Sequence, residues 1–272
     1  MSFFDRYSVF YPWPKILRQS GLKFTYKPRE VWWKNWIRKL DLKPGKKILE
    51  VGCGRGVFLD RLAGEYGGDF FGIDLAREAI KEAKRESLYK LDLRVSDACS
   101  LPFPDSYFDV VFSLDVLEHI RNQKKAVSEM IRVLKKPGGK LLIYTINSRQ
   151  FLTWNWCLDK LGIDVFRRSN HNPRFFVNPE WLKKEIEKGG VEVLEISYFD
   201  SFFTLFFDEA IMIFLSLWQR FFGFRKKDIF AKIILGILTG ISKISTPLMK
   251  ILDFPWIIFR YSNGFLIFGE KK

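Results

Sequence analysis

Cysteine and histidine are scarce in this chain: Cys53, Cys99 and Cys157, and His119 and His171, among 272 residues. An odd, sparse cysteine set without metal-ligand spacing excludes a disulfide-built scaffold and structural zinc, and it points to a reducing compartment. Two histidines cannot furnish a His-rich site, so no metal is expected. Long apolar runs are missing as well. The longest charge-free stretches, residues 210–219 and 233–242, are about half the roughly 20 residues that a membrane-spanning helix needs. The opening Met1-Ser2-Phe3-Phe4-Asp5-Arg6 lacks a basic leader followed by an apolar run, so no signal peptide is expected. Internal repeats and low-complexity tracts are absent.

What is present is apolar, aromatic and unevenly charged. With 47% hydrophobic and 28% charged residues, the chain is neither a disordered polyelectrolyte nor a fibre, and it is long enough for one large buried core. The formal charge of +14 is divided sharply along it. Residues 1–47 hold 12 Lys/Arg against 3 Asp/Glu, a net of +9. Residues 48–200 hold 23 of each sign, and residues 201–272 hold 10 against 5. A neutral centre between basic flanks rich in Phe and Trp suggests that the flanks meet an anionic surface while the centre does something else.

The centre alternates strand-like and helix-like runs. Residues 48–51, 69–74, 91–95, 109–112 and 140–145 read as short β-rich strands. Residues 57–65, 76–86 and 123–135 read as helices between them. This pattern predicts βαβ units and a parallel sheet. Pro137-Gly138-Gly139 stops the third helix, and Asn178-Pro179 starts another that ends at Gly189-Gly190. A sixth strand is expected over 191–198 and a last one over 264–269. Some 60 residues separate those two strands, far more than a hairpin requires.

The first strand runs into Glu50-Val51-Gly52-Cys53-Gly54-Arg55-Gly56. Glycines there allow a tight turn and close approach of the backbone to a ligand at the carboxyl edge of the sheet. A dinucleotide fingerprint would need a small residue where Val57 stands. The E-x-G-x-G-x-G spacing instead resembles motif I of the class I S-adenosylmethionine (SAM) methyltransferases. Asp74 ends the second strand and Ser96-Asp97-Ala98 the third. The block Phe108-Asp109-Val110-Val111-Phe112-Ser113-Leu114-Asp115-Val116-Leu117-Glu118-His119 resembles the fourth-strand region of the type-11 family, which includes quinone-biosynthesis methyltransferases. Leu134 to Gly139 is similar to that family's approach to strand five. The resemblance covers residues 40–147 well and 171–198 loosely.

The resemblance implies a doubly wound α/β fold. Its seven-stranded, mostly parallel, Rossmann-like sheet has an antiparallel last strand, with a helical insert before it. Residues 1–46 would form a basic aromatic helical segment and 47–200 the SAM-binding core, with a substrate lid at 147–177. Residues 201–262 would form the insert and 263–272 the last strand. It also implies SAM as cofactor, held by Glu50, Gly52, Cys53, Gly54, Gly56, Asp74, Leu75, Asp97, Ala98, Ser113 and Leu114. Asp74 would accept the ribose hydroxyls, and Asp97 the adenine amino group. The plainer reading is that the glycines only turn the chain and the two aspartates cap helices. Methyl transfer is an in-line attack in which the sulfonium charge disappears, so a dry, aligning pocket supplies most of the catalysis. His119, just past the fourth strand, and His171, in the lid stretch, are the candidate general bases. Either histidine could instead only shape the pocket.

The insert is patterned for an interface. Lys232, Lys243 and Lys250 share one narrow helical stripe, and Glu209, Ser216 and Arg220 another, each amid a wide apolar face. A wide greasy face with thin lysine stripes suits a bilayer interface, with lysines snorkelling to headgroups, and does not suit a phosphate backbone. The alternative is that these helices pack on the core or on a second copy. The fourth strand also lacks the N/D-P-P-Y sequence of base-amino methyltransferases, and no Pro-Cys nucleophile occurs, so no nucleic-acid partner is expected. The reading is a methyltransferase of a lipidic or membrane-associated small molecule, cytoplasmic and peripheral or monotopic on an anionic membrane face. A soluble O- or N-methyltransferase of a secondary metabolite or sugar is the second reading. A non-catalytic membrane-binding scaffold is the third.

Overall fold

All seven expected strands form, and alternation along each of them decides which face a residue takes. The computed structural model describes residues 35–163, 171–199, 201–204, 206, 210, 248–249 and 251–272. Strands β1 (Lys47–Val51), β2 (Asp69–Asp74), β3 (Leu91–Val95), β4 (Val110–Leu114), β5 (Lys140–Ile146), β6 (Val191–Phe199) and β7 (Gly264–Lys271) make one sheet in the order β3-β2-β1-β4-β5-β7-β6. The first five pair in parallel, and β7 lies antiparallel between β5 and β6. The order reverses between β1 and β4, which is where a doubly wound sheet opens a crevice at its carboxyl edge.

Helices α1 (Val57–Tyr66), α2 (Arg77–Glu86), α3 (Gln123–Val133), α4 (Trp154–Lys160), α5 (Pro179–Lys188) and α6 (Phe254–Ile258) connect the strands. Ile48, Phe70, Leu93, Val110, Phe112 and Leu142 point to one face and meet Leu59, Leu62 and Ile80 of α1 and α2. Leu49, Val51, Ile73, Val111, Leu141 and Ile143 point to the other and meet Val127, Met130, Leu182 and Ile186 of α3 and α5. Both faces are covered, so the strands read as near-continuous apolar runs. Asn122 caps α3 by accepting from Lys125 N at 3.1 Å, and Asn178 caps α5 by accepting from Glu180 N and Trp181 N at 2.9 and 3.1 Å.

Several expected boundaries shift. The helix expected to reach Lys135 ends at Val133, because Leu134 forms a β-bridge with Phe108 and Lys135 N donates to Phe108 O at 2.8 Å. The fourth strand runs over 110–114 rather than 109–112. Asp109 stays outside it, its carboxylate accepting from Lys47 N and Lys135 Nζ, both at 2.8 Å. Trp36, in the basic aromatic N-terminal segment, is 4% exposed and lies against Phe268 with ring centroids 6.1 Å apart. An indole withdrawn from water to that extent contributes roughly 4 kcal/mol at ~25 cal/mol per Å². It belongs to the ordinary core. Residues 1–34 of the basic N-terminal stretch and the stripes of Lys232, Lys243, Lys250, Glu209, Ser216 and Arg220 lie outside the described residues.

The two roots of the insert meet. Asp253, buried, accepts from Phe202 N and Phe203 N at 3.1 and 2.8 Å through one oxygen and from Thr204 N at 3.0 Å through the other. The same region holds part of the stretch expected as a lid. Trp256 Nε1 donates to Leu152 O at 2.7 Å, and Trp154 stands edge-on to Phe202 and Phe206 with centroids 5.6 and 4.8 Å apart. A polar seam joins it to β7: Asn147 Nδ2 donates to Ser262 Oγ at 2.9 Å and Asn155 Nδ2 to Asn263 Oδ1 at 2.8 Å. Among the described residues no helix is long and apolar enough to cross a membrane.

Candidate functional site

The turn after β1 is built on left-handed backbone. Gly52, Gly54 and Gly56 have φ of 81°, 52° and 66°, a region that side chains with a Cβ enter at a cost. Gly52 N and Cys53 N both donate to Ile73 O, at 2.8 and 2.9 Å, which folds the turn over the end of β2. A Cβ at Gly52 would stand 2.2 Å from Val116 Cγ2. The glycine is therefore required by packing as well as by φ.

Asp74 joins this turn to the one after β2. Its Oδ2 accepts from Gly54 N and its Oδ1 from Ala76 N, each at 2.8 Å. Asp74 thus ties two turns together and does not cap α2, whose N-cap is Ala76 without a side-chain cap. A carboxylate oxygen has a second lone pair, which leaves acceptor capacity for hydroxyls laid across the crevice. Leu75 beside it is 73% exposed, as a residue at a ligand edge can be. Across the crevice Asp97 is exposed and accepts from Cys99 N at 2.8 Å, while Ala98 is buried beneath it.

Two candidate residues supply orphaned polar atoms at the ends of adjacent strands. Glu50 and Ser113 are buried, and Glu50 Oε2 and Ser113 Oγ have no hydrogen-bond partner. Buried polar atoms without partners are costly, and a polar ligand seated on this floor would relieve them. Cys53 behaves differently. Its side chain lies in the core under the turn, so close to Gly72 that a Cβ there would come within 2.7 Å of the sulfur. Burial, then the charges of Glu50 and Asp74, push its thiol far above the usual range. Cys53 can therefore meet a ligand through its backbone but not as a nucleophile. Leu114 is half-buried at the end of β4. The glycine cradle, the two facing aspartates and the orphaned floor atoms together fit an adenosyl amino acid.

Burial, followed by the charge of Asp74, raises the Glu50 carboxyl to about 8. The folded chain then keeps a proton that the unfolded chain releases near pH 4–5, so the native state binds more protons and its stability falls as pH rises. This loss grows between about pH 5 and pH 8 and is complete above it. Without ligand, Glu50→Gln is expected to melt with the parent near pH 5 and a few degrees above it at about pH 8.5. An unchanged difference between the two conditions in thermal scans would mean that the carboxyl is not buried and protonated.

The two histidines, far apart in the chain, stack with ring centroids 4.9 Å apart and 28° between planes. His119 ends a short 3₁₀ turn over Leu117–His119, and His171 comes from the lid stretch. Gln123 Nε2 ties the two segments by donating to Leu117 O at 3.0 Å and Phe175 O at 2.6 Å. Burial, and then His119, lower the His171 imidazole to about 4, and burial lowers that of His119 as well. Both are neutral near pH 7, the form able to accept a proton. Glu118 was not among the expected site residues. It is 1% exposed, its Oε2 accepts from Thr145 Oγ1 at 2.7 Å, and burial together with Asp115 lifts its carboxyl to about 8. Its signal in the sequence was a carboxylate beside a histidine at the end of an apolar block. The expectation of no metal rested on histidine count and spacing; the fold brings Glu118, His119 and His171 together, with ligand atoms within 4.8 Å of one another.

Elsewhere, a cleft of about 410 Å³ between α3 and α5 is lined by Lys124, Arg132, Lys188 and Lys271. Arg132 and Lys188 are paired with carboxylates, and Lys271 Nζ is spent on the carbonyls of Ile131 and Leu134.

Residues 49–143 match the type-11 methyltransferase-domain family. A ubiquinone biosynthesis O-methyltransferase of Azoarcus sp. (strain BH72) is 30% identical over 161 residues, 56% of this chain and 67% of that protein. Phosphoethanolamine N-methyltransferase 1 of Zea mays is 38% identical over 113 residues, 40% of this chain. The chain spans between 22% and 23% of the length of that enzyme and of the matching plant enzymes of the same name. Among solved structures, phosphoethanolamine N-methyltransferase 2 of Haemonchus contortus in complex with SAM aligns with a TM-score of 0.60 at 21% identity. It covers 100% of this chain and 60% of that one, which is a likeness of fold.

Proposed function

Because the chain belongs to the type-11 family of class I SAM-dependent methyltransferases, we propose that it methylates a small, lipid-borne acceptor at a membrane surface. The turn after β1, Asp74, Asp97, Ala98, Ser113 and Leu114 would hold SAM. When bound, SAM supplies an electrophilic methyl on a positive sulfur. The chain's own part is to seat that methyl, exclude water and align the acceptor, since the reacting pair becomes less polar as the charge is lost. Neutral His119, with one edge at the surface, would take a proton from a hydroxyl or ammonium acceptor, with His171 stacked behind it.

The lipid part of the reading rests on one observation. Residues at the insert's C-terminal root stand in solvent: Ile251 is 69% exposed, Phe259 66%, Phe254 59% and Ile258 57%. Residues at this root and at its N-terminal counterpart contact the lid stretch through Trp256 and Trp154. Apolar groups that are normally withdrawn from water are here presented to solvent by a segment tied to the proposed lid. Relatives named for ubiquinone and tocopherol O-methylation and for phosphoethanolamine N-methylation support a small-molecule acceptor. A peripheral position on the cytoplasmic face of an anionic membrane would match the basic flanks.

The test is co-sedimentation with vesicles containing phosphatidylglycerol, together with transfer of labelled methyl from SAM to a lipid extract. The parent is expected to pellet and to label lipid. A chain carrying Ile251→Asp, Phe254→Asp and Phe259→Asp should partition at least about tenfold less. Equal pelleting of the two, with transfer only to water-soluble acceptors, would move the function to a soluble metabolite or sugar.

A further inference from the structure

We propose that Glu118, His119 and His171 form a binding site for a single divalent cation of the zinc class. Their ligand atoms lie within 4.8 Å of one another. Two imidazoles and a carboxylate are the donor set that borderline cations such as Zn²⁺ and Co²⁺ prefer over Mg²⁺ or Ca²⁺. Three protein ligands leave at least one position open, the arrangement of sites that act on bound molecules rather than of sites that only hold a fold.

The second observation is independent of this proximity. Glu118 is 1% exposed, and its two oxygens are treated differently: Oε2 is engaged by Thr145 Oγ1 at 2.7 Å, whereas Oε1 is buried without a hydrogen-bond partner. A buried carboxylate oxygen left this way costs stability. A cation held by Oε1 would remove that cost, with Thr145 as the outer hydrogen bond that orients a ligating carboxylate. His171 is 7% exposed and fixed in the fold, while His119 keeps an exposed edge. A tetrahedral site with ~2.0–2.1 Å bonds to nitrogen needs ligand atoms about 3.3 Å apart. Closing the site therefore asks the ligand atoms to draw together by about 1.5 Å.

The site also joins the two segments that Gln123 ties through Leu117 O and Phe175 O. Its ligands come from the 3₁₀ turn after β4 and from the lid stretch. A cation would pin the second to the first, and its open position would receive an oxygen of the acceptor at the rim of the crevice. That role extends the methyltransfer reading and, in the loaded chain, takes the place of proton uptake by His119, whose ligating nitrogen is then occupied; binding of the cation does not depend on it.

The experiment uses the full chain, stripped with a chelator and titrated with Co²⁺ and then Zn²⁺ in the absence of SAM. One equivalent of Co²⁺ should give the visible absorption of a four- or five-coordinate ion, lost when Zn²⁺ is added. Glu118→Gln and His171→Ala should each weaken Co²⁺ affinity at least about tenfold, while SAM binding by calorimetry reports that the variants are folded. Zn²⁺ should also raise the melting temperature of the parent and not of His119→Ala, which alters an exposed side chain. Absence of saturable binding below millimolar cation overturns the site, as does binding that His171→Ala leaves unchanged. Failure of SAM to bind the parent would count against the function proposed above and not against the cation site.

Discussion

Asp74→Ala is expected to weaken SAM binding at least about a hundredfold, since two hydrogen bonds to a charged acceptor at ~1.5–3 kcal/mol each would be lost and 1.4 kcal/mol is tenfold. The carboxylate also holds the two flanking turns, through Gly54 N and Ala76 N, so the variant loses preorganisation as well as contacts. Asp74→Asn separates the two roles. Its amide keeps one acceptor oxygen but turns an NH₂ toward a backbone N–H, so an intermediate loss of about tenfold is expected. Calorimetry with SAM and with its demethylated product, beside thermal scans, reads both. Binding of Asp74→Ala within about threefold of the parent would leave Asp74 as a tether alone and withdraw the ribose contact.

Gly52→Ala should be strongly damaging. The added Cβ would meet Val116 Cγ2 at 2.2 Å and Cγ1 at 3.0 Å, on backbone with φ of 81°. The left-handed conformation alone costs about 1–2 kcal/mol with a Cβ, and overpacking adds about 1–3. A fall in melting temperature of roughly 5–15 °C follows, with no measurable SAM binding because the turn must move to relieve the clash. Gly138→Ala is the control. It has a similar φ of 85° with nothing within 4 Å of its would-be Cβ, so it should lose only the smaller part. Adding Val116→Ala to Gly52→Ala should recover stability in part. Equal melting of the Gly52 and Gly138 variants would show that Val116 does not confine the turn.

Much of the fold was legible because a strand buried on both faces and a helix buried on one leave different periodicities. The boundaries that moved did so for reasons of pairing. Leu134 and Lys135 suit a helix locally, but Phe108 offers them a bridge and a backbone acceptor. Trp36 carried the composition of a headgroup residue and the position of a core one, and only its neighbour Phe268 distinguishes the two. Motif spacing found the site's glycines and aspartates, yet it could not say that Cys53 turns inward or that Asp74 already serves two backbone amides. The meeting of Glu118 with both histidines was beyond reach, since it depends on where the lid stretch crosses the sheet edge. Spacing reports what is near along the chain, and this cluster is near only through space.

Asp253 has a consequence for how such a protein can change over time. One side chain near the end of a long excursion fastens the backbone at its beginning. Where the ends of an excursion are held to each other, its length can change at small entropic cost to the sheet it leaves and re-enters, so descent with insertion is easiest at this junction.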